Sequence, residues 1–253
     1  MASYWERYFD GWEPSYWRIV VFLLVIIFSW CNTGYLRLQG HLRPGDARKI
    51  NHILALAGVA LWFGWLPIGM ARASAIVTGM CILALVTLTC LFRDTKPFSW
   101  AFAANTRPSD TPHESLLFWT SWLMSILALL VADLVFMDIQ VSRTAALIVG
   151  ISDGLAEPVG IRWGRHRYQV QWTSRMKPSV RSIEGSLCVA VSCFLIVLLS
   201  YASSGKVLWP QLVGGALLIS LVLTMVEAIS PHGWDNFTVP VSAAVMLHGV
   251  LGG

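Results

Sequence analysis

Apolar residues in this chain gather into long segments parted by polar stretches, near 16–35, 53–70, 73–92, 116–137, 185–202, 207–228 and 237–251. A helix needs about 20 apolar residues to cross the hydrocarbon layer of a membrane, and most of these segments approach that length. A shorter helix over 141–157 is too short and too polar at its end for a standard span, and Pro158 is placed to end or kink it. The polar segment after 92 carries prolines and the Ser109-Asp110-Thr111-Pro112 cluster, which mark a loop and then a helix start near Glu114. With no repeat and no linker in the chain, the pattern predicts one domain over 1–253. That domain is an all-α, polytopic integral membrane bundle with roughly seven or eight transmembrane helices.

One polar stretch, 151–186, breaks the pattern by combining acids, glycines and a dense run of bases: ISDGLAEPVGIRWGRHRYQVQWTSRMKPSVRSIEGS. Asp153 and Glu157 stand one helical turn apart, so on a helix their carboxylates face the same way. Gly154, Gly160 and Gly164 remove side chains where a backbone has to approach a ligand closely. Arg162, Arg165, His166, Arg167, Arg175, Lys177 and Arg181 then supply positive charge. Two acids, small residues and clustered bases are what a metal-bound polyphosphate requires.

Composition agrees with the membrane assignment. Only 13% of the 253 residues are charged and 56% are hydrophobic, with a mean hydropathy of +0.62; soluble domains average about 25% charged. The five cysteines lie in or beside apolar segments without a CxxC pair, so neither a zinc site nor a disulfide framework is indicated. The opening MASYWERYFDGWEPSYW does not read as a cleaved signal peptide, and its aromatics suit an interfacial belt. Counting alternating sides puts all but Arg7, Arg18, Arg72, Arg143 and Lys206 of the 18 lysines and arginines on one face. The positive-inside rule makes that face cytoplasmic and leaves the N-terminus outside. The 151–186 loop, Arg48-Lys49-His52 and 231–236 all fall on it. A bacterial-type plasma (inner) membrane is expected.

Each candidate residue also has an ordinary explanation. Asp153 and Glu157 are either acids solvated at a helix end or Mg²⁺ ligands, and acids ending a membrane helix are costly unless used. The Arg162–Arg167 bases serve as a topology determinant and lipid headgroup anchor, or as a polyphosphate cradle. In Arg181-Ser182-Ile183-Glu184-Gly185-Ser186, Ser182 reads as an N-cap whose helix end also suits an anion. Glu227 sits in an apolar run, where a carboxylate is expensive unless it faces a polar site. Asp235 and Asn236 make a turn and cap, or a metal ligand or base. Arg48, Lys49 and His52 either snorkel to the interface or contact phosphate, with His52 in acid/base support.

Taken together, these motifs resemble the CTP-using polyprenol kinases, the family of dolichol kinase and phytol kinase, and most of all its phytol kinases. The acidic Asp-Gly segment reads Asp153, Gly154, Leu155, Ala156, Glu157, Pro158, Val159, Gly160, followed by the basic turn Arg162, Gly164, Arg165. Arg181, Ser182, Gly185 and Ser186 match the family's Lys-Ser-x-x-Gly-Ser element. Glu227, Gly233, Asp235, Asn236, Val239 and Pro240 match its late element, and Arg48, Lys49 and His52 an upstream one. Ser152 stands where the family has glycine, and Arg181 where it has lysine; Lys177 is a substitute for that lysine.

The resemblance implies a kinase that moves the γ-phosphoryl group of CTP to a membrane lipid alcohol, using Mg²⁺. Asp153 and Glu157 would hold the metal, with Asp235 as a second ligand or the base, supported by Glu227 and Asn236. Arg48, Lys49, Arg162, Arg165, Lys177 and Arg181 would contact phosphates. Gly160, Gly164, Ser182, Glu184, Gly185 and Ser186 would shape the nucleotide site. Alternatives are a diacylglycerol kinase of the same family and a CTP:phosphatidate cytidylyltransferase; the late His-Gly-Gly-x-x-Asp-Arg-x-Asp signature of the latter is poorly met by 231–236. A transporter or scaffold is a third, although its ionisable residues would gather near the midplane. The expected partners are a nucleoside triphosphate, a lipid alcohol and membrane lipids, with no nucleic acid; the oligomeric state stays open.

Overall fold

A computed structural model of the chain describes residues 4–171, 179–202, 207–231 and 233–252. Contacts divide it into two units, Met1–Leu123 and Met124–Gly253, and the division falls inside a helix.

The first unit holds α1 (Tyr4–Phe9), α2 (Tyr16–Leu38), α3 (Pro44–Trp62), α4 (Ile68–Leu91), α5 (Phe98–Asn105) and the start of α6 (Glu114–Phe136). The expected span over 53–70 begins nine residues too late. Pro44 at the first helical position starts α3, and the chain breaks at Phe63 before Pro67 opens α4. A second difference is α5, which occupies part of the stretch expected as loop. It packs on α2 so closely that a Cβ at Gly34 would collide with the Trp100 backbone. The apolar core is built on Trp30, whose ring lies 5.6 Å from Trp122 and 5.8 Å from Phe118.

Beside that core runs a buried polar chain. Asn51 of α3 accepts from Ser29 Oγ at 2.7 Å, and its amide donates to Thr33 Oγ1 at 3.1 Å and to Asn105 Oδ1 at 3.4 Å. One fully buried amide thereby ties α3 to α2 and α5.

The second unit holds the rest of α6, then α7 (Ile139–Leu147), a π-helical turn (Ile148–Asp153) and α8 (Gly154–Trp163). A hairpin follows, β1 (Arg167–Val170) with β2 (Ser179–Ser182), and then α9 (Ile183–Ala202), α10 (Trp209–Ile229) and α11 (Asp235–Leu251). The helix expected to stop near 157 instead continues to Trp163 with Pro158 inside it. The wide π turn just upstream loosens the backbone pairing that a proline would otherwise break. Leu212, Ile219 and Leu223 of α10 interlock with Val197 of α9 and Leu247 of α11 in an apolar core.

Among the described residues six helices are long and apolar enough to cross a membrane: Tyr16–Leu38, Ile68–Leu91, Glu114–Phe136, Ile139–Trp163, Ile183–Ala202 and Trp209–Ile229. The polytopic, all-α membrane class holds, with six such helices rather than seven or eight. The segment expected too short, continued through Pro158, qualifies at 25 residues. By contrast α3 carries Asp46, Arg48 and Lys49, and α11 is only 17 residues long. The sole sheet among the described residues is the two-stranded hairpin.

Candidate functional site

The polar centre of the second unit is organised by the hairpin. β1 and β2 are antiparallel, with Tyr168 opposite Arg181 and Arg167 opposite Ser182. Side chains alternate across a strand, so Tyr168 and Arg181 share one face while Ser182 lies on the other. On the first face the Tyr168 hydroxyl is 2.8 Å from Ser186 Oγ, pinning the hairpin to α9.

The Arg181 guanidinium reaches two helix ends. It is ion-paired with Glu227 near the end of α10. It also donates to Ser230 O at 3.1 Å and to Asp235 Oδ2 at 3.2 Å. Gly233, at φ +81°, makes the tight turn that carries the chain from α10 into α11, a backbone that side-chain-bearing residues resist. A cation at a helix C-terminus and an acid at the first position of the next helix are each favoured by the helix dipoles. Arg181 and Glu227 are 10% and 6% exposed, so this ion pair is largely withdrawn from water.

Charge within the trio is unbalanced: one guanidinium faces two carboxylates. Glu227 Oε2 is buried with no hydrogen-bond partner, as is Ser152 Oγ beside Asp153. An unpaired buried carboxylate oxygen is costly, and a bound cation or a proton would relieve it.

On the other hairpin face Ser182 Oγ accepts from Gly185 N at 3.1 Å, the expected N-cap of α9. The glycines around it are packed closely against neighbouring parts of the chain. A Cβ at Gly160 would lie 2.8 Å from Ser182 Oγ, and one at Gly185 would lie 2.9 Å from Ala156 O. One at Gly164 would lie 2.8 Å from Ser182 Cβ. Gly160, Gly164 and Gly185 therefore let α8 seat directly against the hairpin and the start of α9. The close approach seen is between parts of the chain.

Other expected residues fall as follows. Asp153 is buried at the end of the π turn, which packs against α8, α9 and α11; Glu157 is half-buried one helical turn further on. Asn236 is buried in the first turn of α11, where its backbone N–H donates to Asp235 Oδ1 at 2.9 Å. Glu184 is held by His166, whose ring Nδ1 lies 2.9 Å from Oε1. Arg162 and Arg165 are exposed. Lys177 lies outside the described residues, as does Arg175. Arg48, Lys49 and His52 belong to the first unit, where Lys49 and His52 are buried on α3.

Among the described residues no three His, Cys, Asp or Glu side chains gather into a metal-binding cluster, so Asp153, Glu157 and Asp235 do not form one together. What the fold does bring together is Arg181, Glu227 and Asp235, and separately Ser182 and Gly185 with Gly160 and Gly164. Tyr168 and the Ser230 carbonyl were missed from sequence, because each acts only through the hairpin pairing or the turn after α10, and His166, expected only as one of the bases, holds Glu184.

These features define an integral membrane protein of helices with a buried, ion-paired polar centre at the ends of two of them. Over 102 residues the chain is 38% identical to the phytol kinase of Synechocystis sp., a stretch that is 40% of this chain and 40% of that protein. No protein-family model matches the chain. No solved structure matches it either.

Proposed function

We propose that the chain is a membrane kinase that transfers the γ-phosphoryl group of CTP to the hydroxyl of an isoprenoid-type lipid alcohol. The observation that carries this reading is the union of Arg181, Glu227 and Asp235, three residues from two separate sequence motifs, at one polar centre. The partial identity to a phytol kinase supports the same class.

The residues suit Mg²⁺: the trio carries surplus negative charge and an unpartnered buried carboxylate oxygen, and Asp153 adds another buried acid. At most two of these carboxylates, Asp153 with Glu157 or Glu227 with Asp235, would hold it, with phosphate oxygens completing the shell. When bound, Mg²⁺ supplies charge neutralisation to the phosphates. Arg181 fixes Glu227 and Asp235 in place and keeps a guanidinium beside the transferring group. Asp235, 21% exposed and the more accessible of the two acids, takes the proton of the attacking hydroxyl. The alcohol oxygen bonds to the γ-phosphorus, the bond to the β-phosphate oxygen breaks, and CDP leaves. The apolar spans hold the lipid tail.

The test is a panel of nucleotides and lipid alcohols on purified protein, reading both products. CDP with a lipid phosphate is expected. A CDP-lipid with pyrophosphate would establish a cytidylyltransferase instead, and no turnover with any pair would overturn both.

A further inference from the structure

Four residues bracket the contact between Gly164 and Ser182. Trp163 and Ile183 adjoin it in sequence and are 65% and 60% exposed. Arg165 follows Gly164, Arg167 pairs with Ser182 across the hairpin, and both are exposed. This junction is also where two membrane-length helices end, Ile139–Trp163 finishing and Ile183–Ala202 beginning. Exposed apolar side chains at the last residue of one span and the first of the next, with arginines immediately beyond, mark the step from acyl chains to headgroups.

We propose that this junction is a binding surface for anionic phospholipid, with Trp163 and Ile183 in the acyl edge and Arg165 and Arg167 on the headgroup phosphate. Val180, 58% exposed on the Ser182 face of the hairpin, extends the apolar part. Arg181 takes no part: it lies on the opposite hairpin face, occupied by Glu227 and Asp235. The proposal thus separates Arg165, expected from sequence to hold nucleotide phosphate, from the ion-paired centre. It does not depend on the kinase reading.

The experiment places the purified protein in phosphatidylcholine nanodiscs containing a minor fraction of spin-labelled phosphatidylglycerol, and measures the motionally restricted fraction. Wild type is expected to enrich phosphatidylglycerol over labelled phosphatidylcholine. Each of Arg165→Gln and Arg167→Gln should cut that selectivity roughly fivefold. The double Arg→Lys variant, which keeps charge, should retain it and shows that the fold tolerates substitution here. Selectivity unchanged in the Gln variants overturns the proposal. So does release of the labelled lipid on adding Mg²⁺ and CTP, which would give these arginines to the nucleotide.

Discussion

The Arg181 guanidinium donates to Asp235 Oδ2 at 3.2 Å across 54 residues of chain, and the same group is ion-paired with Glu227. One side chain thereby joins a strand to the end of one helix and the beginning of the next. Breaking a buried pair by removing one partner leaves an uncompensated charge and costs about 3–5 kcal/mol. Arg181→Ala is expected to lower stability by that order in detergent thermal unfolding. Arg181→Lys keeps the charge but cannot span both acids with a planar fork, so a smaller loss is expected.

Glu227→Gln separates stability from metal binding. The substitution keeps the shape and removes the surplus negative charge. Titrating Mg²⁺ into wild-type protein should raise its melting temperature by mass action. In Glu227→Gln that rise should shrink or vanish. An equal shift in both proteins would show that Glu227 is not part of a cation site.

Asp153→Asn is expected to abolish turnover while the protein remains inserted in the membrane, read as product formation beside fractionation of the expressed protein. Normal activity in that variant would remove Asp153 from the proposed machinery.

The glycine packing makes a contrast between sites of the same residue type. A Cβ at Gly185 or Gly160 meets the Ala156 carbonyl or Ser182 Oγ inside 3 Å, whereas at Gly214 nothing lies within 4 Å. Gly185→Val should cost about 1–3 kcal/mol through overpacking. Gly214→Ala should be neutral or slightly stabilising in the same melting assay.

In the first unit, Asn51→Leu removes the amide that joins α3 to Thr33 and Asn105 and strands their polar groups in the core. A loss of about 1–3 kcal/mol is expected for groups left unsatisfied there. Asn51→Asp retains the acceptor for Ser29 but loses the donor to Thr33 and Asn105 and buries a carboxylate, so a loss at least as large is expected. Chemical denaturation of the two variants in matched detergent distinguishes them.

Helix placement was legible wherever apolar length alone decides, as in α2, α6, α9 and α10, whose ends fall close to those expected, while α4 begins five residues early. It failed at α3, where Pro44 outweighs the hydrophobic window, and at α8, where a π turn lets the helix run through Pro158. The hairpin was invisible because its strands are four residues each, below the length at which alternation can be told from chance. Glu227 stood out because an acid in an apolar run demands a polar surrounding, and the fold gives it one by bringing it and Asp235 to Arg181. That Arg181 would be their partner rather than a free phosphate ligand depends on which strand face it occupies, and residue types do not carry that information. The glycines were recognised as sites of close approach, but what approaches them is set by the return of the chain at Ser182.

The seating of α8 against Ser182 and Gly185 bears on biosynthesis. The helix that carries Asp153 leaves the ribosome before the residues that cover its glycines, so its final lodging waits for α9, and then α11, to be translated. Until then the acid-bearing helix is held only by its upstream neighbours, and the polar centre closes late in assembly.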